Sequence, residues 1–279
     1  MSQTFHSAEI VKTAEGRQYH IGVAPNEMAP YILLCGDPKR AHRIAKYFDK
    51  ANDPITYREY VTITGVYKGI PLSVMATGIG PDNTEIAVIE ISQLVKNPTF
   101  LRIGSCGGIQ KGVKLADLII STGAVRMENT STYFVNEGYP AVAHHEVVLA
   151  LLESAKKSGC RYHVGLTATA SGFYGGQARN VPGFKPRYPE LINDLERMNV
   201  VNLEMEASCL FTLAQIGNFR SGTVCAAYSS RSENSFIDKK TMEKAEKDCI
   251  EVGLGAVEVL NKMDQKKKKD PFWIPSMGL

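Results

Sequence analysis

Short apolar segments alternate along this chain with segments of helical periodicity, and this alternation constrains the fold more than any other feature. The apolar segments are rich in β-branched residues and predict buried strands at residues 31–35, 72–76, 100–103, 118–121, 164–168, 200–203 and 222–228. Helical spacing of apolar residues predicts helices at residues 84–95, 145–157, 207–215 and 239–262. Alternating strands and helices indicate an α/β protein, a single-domain three-layer α/β/α sandwich with a mixed, largely parallel central sheet.

No internal repeat and no linker divides the 279 residues. We therefore expect one domain over residues 1–262, followed by a Lys-rich C-terminal tail at residues 263–279. Residues 262–270 have a net charge of +3, which equals the formal net charge of the whole chain. The remaining body is neutral, and this argues against a nucleic-acid-binding face. We expect the tail to be a solvated, flexible extension.

Three further features of the sequence indicate the cellular compartment in which we expect the protein. The six cysteines are scattered and have no CxxC spacing, which favours reduced, buried thiols over a zinc site or a disulfide framework. Residues 1–7 lack the charged and apolar regions of a secretory signal. No apolar segment is long enough to cross a membrane. Together they predict a cytoplasmic protein without membrane or nucleic-acid partners.

Two acidic residues, Glu204 and Glu206, lie where the apolar segment 200–203 ends. An unpaired buried carboxylate is energetically costly, so such a pair indicates a specific need for it. Vicinal sugar hydroxyls are one such need, because a carboxylate can accept hydrogen bonds from both. An acidic helix N-terminus, stabilised by the helix dipole, is the alternative. This segment alone leaves both interpretations open.

Three arginines stand at predicted strand ends or in loops: Arg40, Arg58 and Arg102. Guanidinium groups suit phosphate oxygens, although each arginine taken alone is more typical of a surface or salt-bridging residue. Arg102 fits that alternative least well, because it interrupts an apolar strand where an unpaired charge is costly. Glycine-rich turns at Thr77–Pro81 and Gly104–Gly108 lack Walker A and G-x-G-x-x-G spacing, so triphosphate or dinucleotide binding is poorly supported.

Four motifs occur in order along the chain: Gly36-Asp-Pro-Lys-Arg40, Thr77-Gly-Ile-Gly80, Phe100-Leu-Arg-Ile-Gly-Ser-Cys-Gly-Gly108 and Asn202-Leu-Glu-Met-Glu-Ala207. Together they resemble the motifs of the nucleoside phosphorylase family, whose members include uridine phosphorylases and hexameric purine nucleoside phosphorylases. The resemblance spans about residues 18 to 260. It implies a nucleoside phosphorylase-like fold and a homo-oligomer whose active sites are shared across a dimer interface, with a hexamer as the family form.

The resemblance also implies roles for individual residues. The phosphate-binding residues of one subunit are expected to be Gly36, Arg40, Arg102 and Ser105. Arg58 matches an arginine that such enzymes contribute to the neighbouring subunit's phosphate, and His20 matches a histidine donated likewise near the ribose 5′-hydroxyl. Met205 and Glu206 match the ribose-binding pair, with Glu206 accepting from the 2′- and 3′-hydroxyls.

The choice of base depends first on the segment Ser171-Gly-Phe-Tyr-Gly-Gly-Gln-Ala-Arg179. Uracil presents O2, N3–H and O4 in a row; a glutamine both donates and accepts, and an arginine donates to a carbonyl oxygen. The segment resembles uridine phosphorylases, in which Gln177 and Arg179 would read the uracil and Phe173 would stack on the ligand.

The choice of base depends secondly on the segment Ala226-Ala-Tyr-Ser-Ser-Arg231. Purine phosphorylases of the family have an aspartate at the position of Ser230 that protonates the purine N7, and serine cannot act as that acid. Arg231 matches an arginine that positions the base-reading loop in uridine phosphorylases. The other predicted base-pocket residues are Glu204, Tyr228 and Ser229, of which the last two stand where uridine enzymes usually have aliphatic residues.

The resemblance therefore implies reversible phosphorolysis of uridine, and of 2′-deoxyuridine, to uracil and (deoxy)ribose 1-phosphate in pyrimidine salvage. Phosphate would be a co-substrate, and the reaction would need no cofactor and no catalytic metal. A monovalent cation near Glu59 is left open, because Asn83 departs from the serine of relatives that bind one. The alternatives are a purine nucleoside phosphorylase, a phosphate-independent nucleosidase and a silent binding protein on the same fold.

Overall fold

The computed structural model describes residues 7–279, and within them strands and helices alternate as the sequence predicts. The strands are β1 (Tyr31–Cys35), β2 (Lys50–Ala51), β3 (Ile55–Tyr57), β4 (Tyr60–Tyr67), β5 (Ile70–Ala76), β6 (Thr99–Gly108), β7 (Leu118–Met127), β8 (Ala141–Val142), β9 (Tyr162–Ala170), β10 (Asn202–Glu204), β11 (Arg220–Ser230) and β12 (Ser235–Phe236). The helices are α1 (Pro38–Ala45), α2 (Pro81–Ser92), α3 (His145–Ser158), α4 (Leu191–Arg197), α5 (Ala207–Ile216) and α6 (Lys239–Lys267). Every predicted element is present, and the α/β prediction is confirmed.

The sheet lies between two layers of helices, as the side chains of β1 show. Tyr31, Leu33 and Cys35 pack in the cluster that includes α1, α3 and α6. Ile32 and Leu34 point to the other face and pack with α2 and α5. Because successive side chains of a strand point to opposite faces, a strand covered on both faces must be apolar throughout. This is why β1 reads as a continuous apolar run, and the predicted three layers are confirmed.

The sheet is mixed, and half of it closes on itself. The strand order is β12-β11-β7-β9-β10-β6-β1-β5-β4-β2, with β5, β1, β6 and β11 parallel. Strand β11 pairs with both β6 and β7, so β6, β11, β7, β9 and β10 form a closed ring of strands. Register shifts in β7 and β11 bend these long strands, as closure requires. The sequence predicted the strands and not this closure.

Two short helices were not predicted. Helix α1 has recognisable signals nonetheless: Asp37 caps it by accepting from the backbone N–H of Lys39 at 2.9 Å, and Pro38 occupies its first turn. Helix α4 has no side-chain cap and buries only Leu195. Within residues 7–279 no helix combines the length and the apolar character that crossing a membrane requires.

The C-terminal region is attached to the body. Helix α6 continues to Lys267, five residues beyond the expected boundary at 262, and buries Met263. Trp273 is buried, its backbone N–H donates to Glu146 at 2.8 Å, and its indole N–H donates to the carbonyl of Gly278. The division at residue 262 stays a prediction. The predicted lack of a secretory signal falls largely on residues 1–6, which lie outside the described residues.

Glu146 is the buried anchor of this attachment. Its carboxylate accepts from Arg220 at 2.8 Å and from Lys267 at 3.0 Å, besides the Trp273 N–H. Burial alone would raise the pKa of Glu146, but these three donors outweigh it and hold the pKa below its usual value. Asp264 bonds the same two cations, and its pKa falls to about 2 because Arg220 outweighs the cost of burial.

We predict that Glu146→Gln destabilises the protein by about 2–3 kcal/mol, because it leaves two half-buried cations with Asp264 as their remaining carboxylate. The matched control is Glu153→Gln on the same helix. Glu153 pairs with Lys157 at the surface, and the loss of such a pair costs at most about 1 kcal/mol. Thermal unfolding followed by circular dichroism measures both effects. Equal shifts of the two variants would contradict the anchoring role.

His144 makes the stability of the same region depend on pH. Its Nδ1 accepts from the backbone N–H of Glu146 at 3.3 Å and caps α3, which requires the neutral ring. Burial, with His145 adding to it, lowers the pKa of His144 to about 4. The unfolded state therefore binds more protons, and stability falls as pH decreases from about 6.5 to 4.

We expect His144→Asn to flatten this fall, because asparagine keeps the cap and does not titrate. The difference in stability loss between pH 7 and pH 4 should be about 1–2 kcal/mol, less than the full pKa shift implies because the ring is partly exposed. Urea unfolding at several pH values measures it. Glu146 and Asp264 are present in both the wild type and the variant, so their contributions to the pH dependence of stability cancel when the two are compared. Parallel pH profiles would show that His144 is not the titrating group.

Candidate active site

A cavity of about 1010 Å³ opens where β1, β5, β6, β10 and β11 end. Ligands of α/β proteins bind at such carboxyl-terminal strand ends, since the loops there diverge. Of the predicted site residues, the structure brings into this cavity Gly36, Arg40, Arg58, Arg102, Ser105, Phe173, Gln177, Arg179, Glu204, Met205, Glu206, Tyr228 and Ser229. His20 and Arg231 lie outside its lining. Residues far apart in the sequence thus meet in one cavity.

A buried ion cluster forms the floor of the cavity. Arg102 projects from β6, and its Nε donates to Glu204 at 3.2 Å while its Nη2 donates to Glu206. The carboxylates hold the pKa of Arg102 above its usual value although burial opposes the charge. Burial raises the pKa of Glu206, and Arg102 only partly offsets it. The polar residues that interrupt these apolar strands are therefore mutually paired.

The two glutamates differ in what else they bind. Glu204 accepts from Thr169 at 2.6 Å and from the backbone N–H groups that begin α5, at Glu206 and Ala207. Its hydrogen-bonding capacity is largely used within the protein. Glu206 accepts one further bond, from the backbone N–H of Gly80 at 2.7 Å. Glu206 is thus the carboxylate with acceptor capacity left for a ligand.

Arg40 reaches the cavity from the first turn of α1. Its Nη1 donates to the carbonyl of Ile103 at 3.2 Å, and its Nε donates to Glu246 of α6 at 3.0 Å. Its Nη2 lies 3.5 Å from the hydroxyl of Tyr228. Burial opposes the charge of Arg40, but neighbouring groups including Tyr228 raise its pKa above the usual value. A permanent, nearly buried cation therefore borders the cavity.

The turn between Gly36 and Arg40 packs closely on the turn after β5. A Cβ at Gly36 would lie 3.1 Å from the carbonyl oxygen of Gly78, so little space exists for a side chain. Ser105, Met205 and Ser229 border the same cavity from β6, the start of α5 and β11. This end of the cavity combines cations, hydroxyls and exposed backbone, which suits a small oxyanion.

Arg58 and Glu59 form the two-residue turn between β3 and β4. Arg58 has φ of 52°, a left-handed conformation that costs a non-glycine residue about 1–2 kcal/mol. Its guanidinium lies 4.7 Å from the ring centre of Tyr19. Arg58 is exposed at the rim, so this structure leaves it accessible from outside the cavity. Glu59 and Asn83 line the cavity, and a cation near Glu59 stays a prediction.

His20 is held away from this cavity. Its Nδ1 lies 2.6 Å from the carboxylate of Glu90 on α2, which also accepts from the backbone N–H groups of His20 and Ile21. The His20 side chain is 34% exposed and belongs to the outer surface of the chain. His20 therefore lies outside the lining of this cavity.

The loop after β9 forms the opposite end of the cavity. Gln177 is buried, and Arg179 donates to its Oε1 at 3.3 Å while the guanidinium stacks 3.9 Å above the ring centre of Phe173. Arg231 donates to the backbone carbonyl of Gln177 at 2.8 Å and so supports the loop from outside the lining. Burial together with Arg179 lowers the pKa of Arg231 to about 10, which leaves it charged at neutral pH.

Three residues in or beside the cavity had no predicted role. Gly80 is not part of the lining but donates its backbone N–H to Glu206, and its φ of 103° is the signal that glycine is needed there. Phe236, from the short strand β12, lines the cavity and is 62% exposed. Glu246 had no sequence signal, because it is one of many charged residues on α6. Within residues 7–279, no cluster of three or more His, Cys, Asp or Glu side chains is arranged to hold a metal ion.

Comparison with known proteins identifies the family. The sequence model of the phosphorylase superfamily matches residues 30–258. The chain is 44% identical to a uridine phosphorylase of Thermococcus kodakarensis, over 99% of each chain. It is 34% identical to a uridine phosphorylase of Escherichia coli, over 84% of this chain and 94% of that one. It is 30% identical to a guanosine phosphorylase of Halorubrum lacusprofundi, over 88% and 99%.

The fold is similar to the crystal structure of a Trypanosoma brucei nucleoside phosphorylase described as showing uridine phosphorylase activity. The TM-score is 0.83 at 26% sequence identity, and the match covers 89% of this chain and 99% of that chain. The match to the family's sequence model spans strands β1 to β12, which include the elements that surround the cavity. The chain belongs to the phosphorylase superfamily.

Proposed function

We propose that this protein catalyses the reversible phosphorolysis of uridine to uracil and ribose 1-phosphate. The main support for the proposal is the set of side chains that line one cavity. Gln177 and Arg179 lie at one end, arginines lie at the other, and Glu206 lies between them. Relatives named uridine phosphorylase support it. Ser230 also supports a pyrimidine base, because its hydroxyl cannot serve as the acid that a purine N7 requires.

The phosphate end would consist of Arg40, Arg102 and Ser105, with Gly36 offering close backbone approach. The contacts described above engage Nε and Nη2 of Arg102, so Nη1 is its donor for an anion. Phosphate held there attacks C1′ of the ribose as the glycosidic bond breaks, and the bonding electrons leave with the uracil. The bound phosphate also stabilises the positive charge that develops on the sugar.

The ribose would be held by Met205 and Glu206, with the 2′- and 3′-hydroxyls donating to the Glu206 carboxylate. Burial raises the pKa of this carboxylate, and the pairing with Arg102 opposes that effect and favours the ionised form. The Gly80 N–H fixes one of its oxygens, so the group is oriented before the sugar arrives. Glu206 would therefore contribute by position more than by proton transfer.

The base would be read by Gln177 and Arg179 and stacked by Phe173, with Glu204, Tyr228, Ser229 and Arg231 completing or supporting the pocket. Negative charge builds on the leaving uracil, and Arg179 stabilises it electrostatically. The base then takes up a proton. The proposed chemistry needs no cofactor, since phosphate is the nucleophile and arginines balance its charge.

We propose further that the working unit is a homo-oligomer with shared sites, a hexamer in the family form. Arg58 at the exposed rim and His20 on the outer surface are suitably placed to act on a neighbouring subunit's ligands. A cytoplasmic location fits the cysteines, all free and all buried except the half-buried Cys160. 2′-Deoxyuridine is proposed as a further substrate, in pyrimidine salvage.

One assay tests the proposal directly. The purified protein is incubated with uridine, 2′-deoxyuridine or inosine, with and without phosphate, and free base and sugar phosphate are measured. Uridine should be cleaved only when phosphate is present, with ribose 1-phosphate formed in equal amount. Cleavage of inosine without cleavage of uridine would contradict the choice of base. Cleavage without phosphate would identify a nucleosidase.

We expect Arg179→Ala to lower kcat/KM for uridine about 10²- to 10³-fold, because a donor to the departing base is lost. Phosphate affinity should stay within about twofold, since the substitution is at the other end of the cavity. Arg187→Ala is the matched control: Arg187 also stacks on an aromatic ring, that of Tyr188, but lies outside the cavity. Near-normal uridine turnover of Arg179→Ala would refute the base-reading role.

A further inference from the structure

We propose that Glu246 and Tyr228 are positioning residues that hold Arg40 in its phosphate-binding orientation, an inference that rests on the proposed function. Both residues contact the guanidinium of Arg40, and Glu246 belongs to α6, whose other end is far from the cavity. The resemblance assigned no role to Glu246 and assigned Tyr228 to the base pocket.

The geometry fixes the plane of the guanidinium. Glu246 Oε2 accepts from Arg40 Nε at 3.0 Å, and the carbonyl of Ile103 accepts from Nη1 at 3.2 Å. Two acceptors on different edges of a planar group leave it one orientation. An arginine has five N–H groups, and the contacts of Arg40 engage Nε, Nη1 and Nη2 once each. N–H groups therefore remain for an anion in the cavity.

A carboxylate beside a phosphate-binding arginine also repels the phosphate, and Arg43 reduces this repulsion by pairing with the carboxylate. Glu246 accepts from both Nε and Nη2 of Arg43, and Arg43 Nη2 donates to Asp37 as well. Arg40, Arg43, Asp37 and Glu246 together have no net charge, and Glu246 divides its attraction between two arginines. Arg40 is therefore not neutralised by a carboxylate of its own while its position is set. Glu246 is 11% exposed, so its attraction to both arginines is only weakly screened.

The hydroxyl of Tyr228 lies near both Arg40 and Glu246. Its hydroxyl lies 3.5 Å from Arg40 Nη2 and 3.5 Å from Glu246 Oε2, at the outer limit of hydrogen bonding. It can accept from the arginine while donating to the carboxylate. Burial raises the pKa of Tyr228 to about 12, so the hydroxyl keeps the proton that it donates. An aliphatic residue at this position could not make these contacts.

The experiment compares steady-state kinetics of Glu246→Ala with those of Glu258→Ala. Glu258 is the matched control because it also joins α6 to the sheet through a tyrosine and a cation, Tyr67 at 3.0 Å and Lys68 at 2.8 Å, outside the cavity. Glu246→Ala should raise the KM for phosphate about tenfold, the loss of one charged hydrogen bond, and leave the KM for uridine within about twofold. Glu258→Ala should change neither.

Two further variants separate position from folding. Glu246→Gln keeps an acceptor for Arg40 and should restore the phosphate KM to within about threefold of the wild type. Tyr228→Phe removes only the hydroxyl and should raise that KM about two- to fourfold. A phosphate KM of Glu246→Ala that is unchanged, lowered, or raised together with the uridine KM would overturn the proposal.

Failure of the proposed function has a different signature. If the wild type does not cleave uridine with phosphate, the binding of inorganic phosphate is measured by calorimetry for the same variants. Tenfold weaker binding by Glu246→Ala, with normal binding by Glu258→Ala, would support the positioning role independently of the reaction. Equal binding by both variants would overturn it.

Discussion

The pairing of Arg102 with Glu204 and Glu206 is the interaction on which the rest of the site depends. A guanidinium inside an apolar strand is tolerated only with carboxylate partners, because breaking such a buried pair costs about 3–5 kcal/mol. These partners come from the end of β10 and the start of α5. The ion cluster therefore joins β6, β10 and α5 at one point. It also orients Glu206, so the same contacts stabilise the fold and prepare the site.

The cluster is electrically unbalanced in a way that suits the proposed ligands. Two carboxylates face one arginine: burial raises the pKa of Glu206, Arg102 offsets that cost only in part, and Glu204 adds to it. Sugar hydroxyls that donate to Glu206 would relieve this cost. At the base end the opposite holds, since the partners of Arg179 and Arg231 among residues 7–279 are neutral oxygens and a ring. An electron-rich leaving base is the natural complement of those two cations.

Most of the site residues that the sequence predicts line the cavity, and the reasons are physical. Strand ends can be recognised from apolar runs, and a charged residue such as Arg102 is conspicuous where a run should continue. Turn motifs such as Gly36–Arg40 follow strands directly, so their place in the fold is predictable. Glu246 is different, because it enters the site only through the packing of α6 against the sheet. Closure of β6, β11, β7, β9 and β10 is likewise a property of strand pairing that no local pattern encodes.

Helix α6 shows how stability and positioning are separated within one element. Near its C-terminus, Asp264 and Lys267 form an ion cluster with Glu146 and Arg220. Near its N-terminus, Glu246 holds Arg40. Eighteen residues separate Glu246 from Asp264, about 27 Å at 1.5 Å per residue. Between them α6 packs on the sheet through buried apolar residues. Because that packing holds the middle of the helix, loosening the C-terminal cluster should lower stability without displacing Glu246.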